Sequence, residues 1–424
     1  MQPTDIVRSF LKAMEILDYP AATALVAPDC VYTNPPPIGT VTGPEGIRAV
    51  LEPFFAPTIR NEFLILRAAQ AGPVVFCERI DRHQLADKWV ELPVTGVFEV
   101  RNGLITYWRD YFDAATILSQ WPQRLPIMEA LRTDDGRFVG LPGYSFTPHY
   151  IDTLAGYEGL RVHYLDEGPK DAAVSFLCLH GQPAWSYLYR KMIPVFAGAG
   201  HRVIAPDLLG FGRSDKPVDE SIYSFAFHRG MLCALIEALD LRNIVLVCQD
   251  WGGILGLTIP PDMPDRFTRL LVMNTAIPVG EPVSEGFVRW RDFNRSRPDM
   301  DIAALFQRSQ PDLSAEEAAA YAAPFPDARY KAGVRRFPEL VMTDPDMDGI
   351  AETKRARTWW GSEWNGPTFM AVGMTDPVLG PDVMASLRQQ IKGCPPPLEV
   401  PDAGHFVQEK GDRIALAALA AFGL

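Results

Sequence analysis

The sequence predicts two domains of different class, an α+β domain over residues 1–125 and, over residues 126–424, a mostly parallel α/β domain with a helical cap at about 277–344. Three observations carry this. The chain has 424 residues, more than the roughly 250–300 that one hydrophobic core usually supports. Its first third sets helices ahead of a run of strands, the order of an α+β domain with a curved antiparallel sheet wrapped around a pocket. From residue 174 onward, short apolar strands alternate with helices, which requires a sheet covered on both faces.

Taken in order, Ile6, Val7, Phe10, Leu11, Met14 and Leu17 recur at helical spacing behind Thr4 or Asp5 as N-cap. Ala21–Ala27 reads as a second short helix, Cys30–Asn34 as a strand, and Glu45–Leu51 as a third helix. Strands follow over 63–69, 74–85, 89–100 and 104–112, the last two joined by Asn102-Gly103, a strong two-residue hairpin signal. Between 114 and 150 the pattern weakens, and Pro122, Pro126, Pro142 and Pro148 argue against regular elements. Strands at 174–179, 202–205, 244–248, 270–273 and 368–372 make up the second domain. A stretch rich in Ala, Glu, Arg and Trp after 277 interrupts the alternation and reads as the cap.

Composition limits the partners. A net charge of −12 argues against nucleic acid or an anionic membrane surface, since both attract clustered Lys and Arg. The start lacks a basic and apolar leader, and no run reaches the ~18 apolar residues of a membrane span, so a cytoplasmic protein is expected. The six cysteines show no short metal spacing and read as reduced, buried thiols. Neither a metal nor an organic cofactor is expected.

Val247-Cys248-Gln249-Asp250-Trp251-Gly252-Gly253 has the strand, sharp turn and helix of a nucleophile elbow, with Asp250 where a serine often stands. A carboxylate does not cleave amides, but it displaces a leaving group from sp³ carbon and leaves an ester for water to open. Asp376 and His405 follow in the order acid, then base, so His405 would activate water and Asp376 would orient it. The backbone N–H groups of Gln182 and Trp251 are candidates for an oxyanion hole. With these residues in place, positions from about 128 to 424 resemble a haloalkane dehalogenase, through His180-Gly-Gln-Pro-Ala-Trp185, Ala205-Pro-Asp-Leu-Leu-Gly-Phe-Gly-Arg-Ser-Asp215, Gln249-Asp-Trp-Gly-Gly253 and Ala403-Gly-His-Phe-Val-Gln-Glu409. The resemblance implies that Asp250 is the nucleophile, His405 the base and Asp376 the acid, and that the indoles of Trp251 and Trp290 hold the leaving halide. Gln182 departs from the Glu of the family, and the stretch from Asn274 to Trp290 is shorter. A competing reading makes this domain an epoxide hydrolase, which would polarise its substrate with cap tyrosines Tyr321 and Tyr330.

In the first domain, strand alternation puts Arg79 and Asp81 on one face with Val75 and Cys77, and it places Tyr32 and Asn34 together. Asp110 follows Trp108-Arg109 on the last strand. Two buried carboxylates need a cation between them, and the Arg79 fork reaches both. Such a pair suits push-pull chemistry, in which one acid donates a proton while the other takes one from water. These residues resemble limonene epoxide hydrolase, of the cone-shaped SnoaL/NTF2-like fold. The resemblance implies that Asp110 is the general base, Asp81 the general acid, Arg79 the bridge, and that Tyr32 and Asn34 anchor the water. It also implies a homodimer through this domain. Together the readings give a bifunctional hydrolase acting on haloalkanes and epoxides with water, and releasing halide. The alternative is a dehalogenase fused to a non-catalytic dimerisation or binding module.

Overall fold

The computed structural model describes residues 2–33, 40–85, 88–113, 116, 121, 129–157 and 159–424. The chain divides into two compact units, Met1–Ile127 and Met128–Leu424. The junction expected at 125 falls among residues outside those described.

The first unit is an α+β fold. Strands β1 (Val26–Thr33), β2 (Thr40–Thr42), β3 (Arg60–Ala71), β4 (Val74–Gln84), β5 (Trp89–Arg101) and β6 (Leu104–Tyr111) form one sheet in the order β2-β1-β6-β5-β4-β3. Strands β3 to β6 pair antiparallel, with Asn102 and Gly103 at φ 52° and 81° in the hairpin between β5 and β6; both central residues of a tight hairpin of matching twist require positive φ. The helix Pro3–Glu15 buries Ile6, Val7, Phe10, Leu11 and Met14, and Phe10 meets Trp108 edge-on at 5.0 Å. Two expectations are corrected here. The second helix is Tyr19–Thr23, capped by Asp18, and Val26 and Ala27 already belong to β1, because Val26 is buried in the sheet core. That strand also runs parallel to β6, so the sheet is mixed.

In the second unit, β8 (Pro148–Ile151), β9 (Val162–Glu167), β10 (Ser175–Leu179), β11 (Arg202–Pro206), β13 (Ile244–Cys248), β14 (Phe267–Met273), β15 (Thr368–Gly373) and β16 (Leu398–Val400) build a sheet in the order β16-β15-β14-β13-β10-β11-β9-β8. Six of its strands are parallel, and β9 and β8 add antiparallel at one edge. A small ribbon pairs β7 (Ala130–Leu131) with β12 (Lys216–Pro217). Every residue of β10 and β13 is buried, as expected of strands covered on both faces. Pro148 was expected to break regular structure, yet it opens β8. The first residue of an edge strand tolerates a missing N–H.

Helices Glu285–Arg295, Ile302–Ser309, Ala315–Ala322 and Ala332–Leu340 lie between β14 and the helix Ile350–Ser362. Among the described residues, no helix is long and apolar enough to cross a membrane.

Candidate active sites

The carboxyl ends of the parallel strands set the second unit's site, as in open α/β sheets generally. Asp250 directly follows β13 and opens the helix Trp251–Gly256 at φ 48°, ψ −127°, a backbone conformation costing a non-glycine residue of order 1–3 kcal/mol. Small neighbours make that turn possible. A Cβ on Gly181 would lie 2.2 Å from Asp250 Oδ2, and one on Gly252 would lie 2.0 Å from the Leu179 carbonyl.

The Asp250 carboxylate accepts from the Gln182 N–H at 2.8 Å through Oδ2 and also from the Trp251 N–H. Burial pushes its pKa up, against the opposing pull of His405 and the two backbone donors. Its Oδ1 lies 3.8 Å from His405 Nε2. On the other ring nitrogen, Nδ1 is 3.0 Å from Asp376 Oδ2. Burial alone would lower the pKa of His405, but Asp376, its hydrogen bond and Asp250 together raise it to about 9. Asp376 sits in the opposite situation. Burial works to raise its pKa, yet His405 and the N–H groups of Val378 and Leu379 hold it below the usual carboxylate range.

Two further residues surround this triad. Asn274, at the end of β14, donates to Asp376 Oδ2 at 3.0 Å and accepts from the Gly373 N–H at 2.8 Å. Gln249 reaches His405 Nε2 at 3.1 Å and donates to its carbonyl at 3.0 Å. The sequence signal for Gln249 is only its adjacency to the elbow, whereas Asn274 stands at the alternative acid position after the earlier strand, where the absence of a carboxylate favours Asp376.

A cavity of about 890 Å³ opens over the triad, and Asp250, Trp251, Phe287, Trp290 and His405 line it. Most of its wall is apolar, which suits an uncharged substrate of drug-like size or smaller. The two cap tyrosines do not line it. Tyr321 is fully buried, stacks on Phe306 at 3.6 Å and gives its hydroxyl to Glu409 beside Arg190. Tyr330 packs against the core instead. The competing epoxide reading of this domain is therefore corrected, because among the described residues no phenol lines the substrate space.

The first unit holds a second polar centre. Val75, Cys77, Arg79, Asp81 and His83 all point inward from β4, and Asp110 points inward from β6. The Arg79 guanidinium donates to Asp110 through both Nη1 (3.0 Å) and Nη2 (2.8 Å), and to Asp81 through Nε (2.8 Å). All three side chains are nearly buried, at 3%, 5% and 7% exposure for Arg79, Asp110 and Asp81, so each charge depends on the others. Burial raises the pKa of Asp81 to about 6 in spite of Arg79. His83 accompanies them as a neutral ring, pushed down to about 4 by burial and by Arg79, and hydrogen-bonded to Asn61 at 2.7 Å.

Gly96 makes room for this triplet. It pairs with both Cys77 and Asp110 across the sheet, and a Cβ there would stand 2.4 Å from Arg79 Nη1 and 2.9 Å from Asp110 Oδ1. A glycine inside an otherwise Val- and Phe-rich strand was its sequence signal. Tyr32 is buried and stacks on Trp108 at 3.7 Å. Asn34 lies outside the described residues.

Comparison with known proteins relates each unit to a family. Residues 1–123 match the family model of the limonene-1,2-epoxide hydrolase catalytic domain, and residues 174–412 match that of the alpha/beta hydrolase fold. The haloalkane dehalogenase of Psychrobacter cryohalolentis is 44% identical over 295 residues, covering 68% of this chain and 96% of that protein. That of Mycolicibacterium paratuberculosis is 41% identical over 293 residues, with 68% and 96% covered. Among solved structures, the tetrameric haloalkane dehalogenase DpaA from Paraglaciecola agarilytica is 55% identical, with a TM-score of 0.69, covering 70% of this chain and 99% of that one. All three alignments leave the first unit unmatched in extent, while the epoxide hydrolase family model covers it. The chain belongs to the haloalkane dehalogenase family, and it carries a limonene-1,2-epoxide hydrolase domain ahead of its α/β-hydrolase domain.

Proposed function

We propose that the chain is a bifunctional hydrolase, with a carboxylate nucleophile in the second domain and a general acid and base pair in the first. In the dehalogenase domain Asp250 Oδ1 attacks the carbon that bears the halogen. The carbon–halogen bond breaks as the new carbon–oxygen bond forms, and the halide leaves toward the indole N–H groups of Trp251 and Trp290. Two neutral donors in an apolar pocket stabilise that charge without competing as nucleophiles.

The resulting ester changes the electrostatics of the triad. Alkylation removes the negative charge of Asp250, one of the groups that hold His405 near 9, so the imidazole gives up its proton more readily when water must be activated. His405 then takes a proton from water, and the hydroxide adds to the ester carbonyl. The Gln182 and Trp251 N–H groups hold the oxyanion. Collapse releases the alcohol and restores Asp250.

The first domain works in one step on an epoxide. Asp110 takes a proton from water, with Tyr32 and Asn34 anchoring it; the hydroxide opens the ring, and Asp81 protonates the departing oxygen. The observation that carries this reading is the uneven fork of Arg79, two donors to Asp110 and one to Asp81. Asp110, held by two donors, is placed as the base, while Asp81, whose pKa burial raises to about 6, is the better proton donor of the two. A purely structural module has little use for this triplet, since burying an ion costs several kcal/mol that apolar residues avoid.

For assembly we infer a homodimer through the first domain, supported by the exposed apolar side chains Leu64, Leu66, Phe76 and Tyr111 on its sheet.

A single turnover of a bromoalkane in H₂¹⁸O tests the ester mechanism. The first alcohol released should carry ¹⁶O from Asp250, and ¹⁸O should appear in the protein. An alcohol labelled from the first turnover would mean that water attacks carbon directly.

A further inference from the structure

The Trp290 indole does not stand alone in the cap. Three residues further along the same helix, Phe293 lies nearly parallel to it, with ring centroids 6.0 Å apart and planes at 23°; residues three apart on a helix share a face. Both rings line the cavity. Phe293 in turn meets two guanidinium groups. The Arg297 carbon stands 4.0 Å from its centroid and that of Arg308 4.9 Å, both within cation–π range.

These two arginines differ from most others in this acidic chain. Among the described residues neither has a carboxylate within ion-pair reach. Arg297 bonds the Ser296 hydroxyl. The acids of the neighbouring segments are engaged elsewhere: Glu285 with Arg289, Asp292 and Glu339 with Arg295, Asp299 with Lys331. Their charge is therefore not cancelled locally.

We propose that Phe293 is a positioning residue for dehalogenation, clamped between Arg297 and Arg308, and that this clamp fixes the Trp290 indole and sets halide affinity on the cap side of the site. The physical basis is twofold. A stacked neighbour restricts the rotation of the indole, so its N–H is aimed before halide arrives. Two uncompensated positive charges beside the stack, one of them on Arg308 at the cavity wall, favour an anion in the cavity, and solvent screening makes that part salt-dependent. The proposal rests on the assignment of Trp290 as a halide donor.

The test uses the full-length protein, with bromide as the probe. Its inhibition constant is measured against bromoalkane turnover in wild type, Trp290→Phe, Phe293→Leu, Phe293→Tyr, and the double variant Arg297→Gln/Arg308→Gln. Phe293→Leu should weaken bromide binding about five- to tenfold, the reach of one or two aromatic contacts, and Phe293→Tyr should restore it. The exposed double variant should weaken it several-fold at low ionic strength, with the difference closing at about 1 M salt. If Trp290→Phe weakens bromide while Phe293→Leu and the double variant both stay within about twofold of wild type, the clamp is refuted and the Trp290 assignment stands. If Trp290→Phe leaves bromide affinity unchanged, the assignment itself fails and takes the clamp with it.

Discussion

His405 Nε2 lies 3.8 Å from Asp250 Oδ1, too far for a hydrogen bond, while its Nδ1 is bonded to Asp376. The base is thus oriented by one carboxylate and stands off from the other. That separation keeps the imidazole off Asp250 Oδ1 during attack on carbon, and the same Nε2 meets Gln249 at 3.1 Å.

Loss of the base should therefore stop the cycle half-way. In His405→Phe the bromoalkane still alkylates Asp250, and bromide is released once per active site, with the ester persisting. Intact-mass measurement should show a stable adduct of the alkyl group, and steady-state turnover should fall by at least about 10²-fold, the usual share of general base catalysis. Steady turnover without an adduct would assign the base elsewhere.

The His405 ring also ties stability to pH. Its folded pKa, about 9, lies above the unfolded value of 6.5, so its contribution is complete below pH 6.5 and is lost as pH rises through 9. The contribution is roughly 3 kcal/mol at most, from 1.36 kcal/mol per pKa unit. Denaturant unfolding at pH 6 and pH 9.5 should show wild type losing more stability than His405→Phe over that interval.

Epoxide turnover should follow the other direction of control. Asp81 donates a proton and titrates near 6, so diol formation should fall about tenfold per pH unit once pH is well above 6. Bromide release by the same preparation should not follow that curve. A flat epoxide profile between pH 6 and 8 would remove Asp81 from the donor role.

Gly96→Ala tests the room made for Arg79. The added methyl must displace the guanidinium or Asp110, and disturbing a buried ion pair costs about 3–5 kcal/mol. Diol formation should be lost and the first domain destabilised, while bromide release at permissive temperature stays near wild type.

Much of this was legible in sequence because the relevant signals are local. The elbow, with Asp250 between small residues, and the period of two that aims Arg79 and Asp81 inward are both properties of short segments. The hairpin at Asn102-Gly103 is another. What escaped depends on distant partners. Val26 is strand rather than helix because the sheet core takes it, which alanine-rich local propensity does not reveal. The parallel pairing of β1 with β6 is a topological choice between segments some seventy residues apart. Gln249, and the hydrogen bond of Asn274 to Asp376, acquire meaning only when strand ends are brought together. The two cap tyrosines were equally opaque, since only packing shows that Tyr321 spends its hydroxyl on Glu409.

The most direct test is a two-by-two assay of bromide release and diol formation in Asp250→Asn and Asp110→Asn. Two separate centres predict that Asp250→Asn abolishes bromide release and keeps diol formation, and that Asp110→Asn does the reverse. Diol formation that survives Asp110→Asn and disappears in Asp250→Asn would contradict a catalytic first domain.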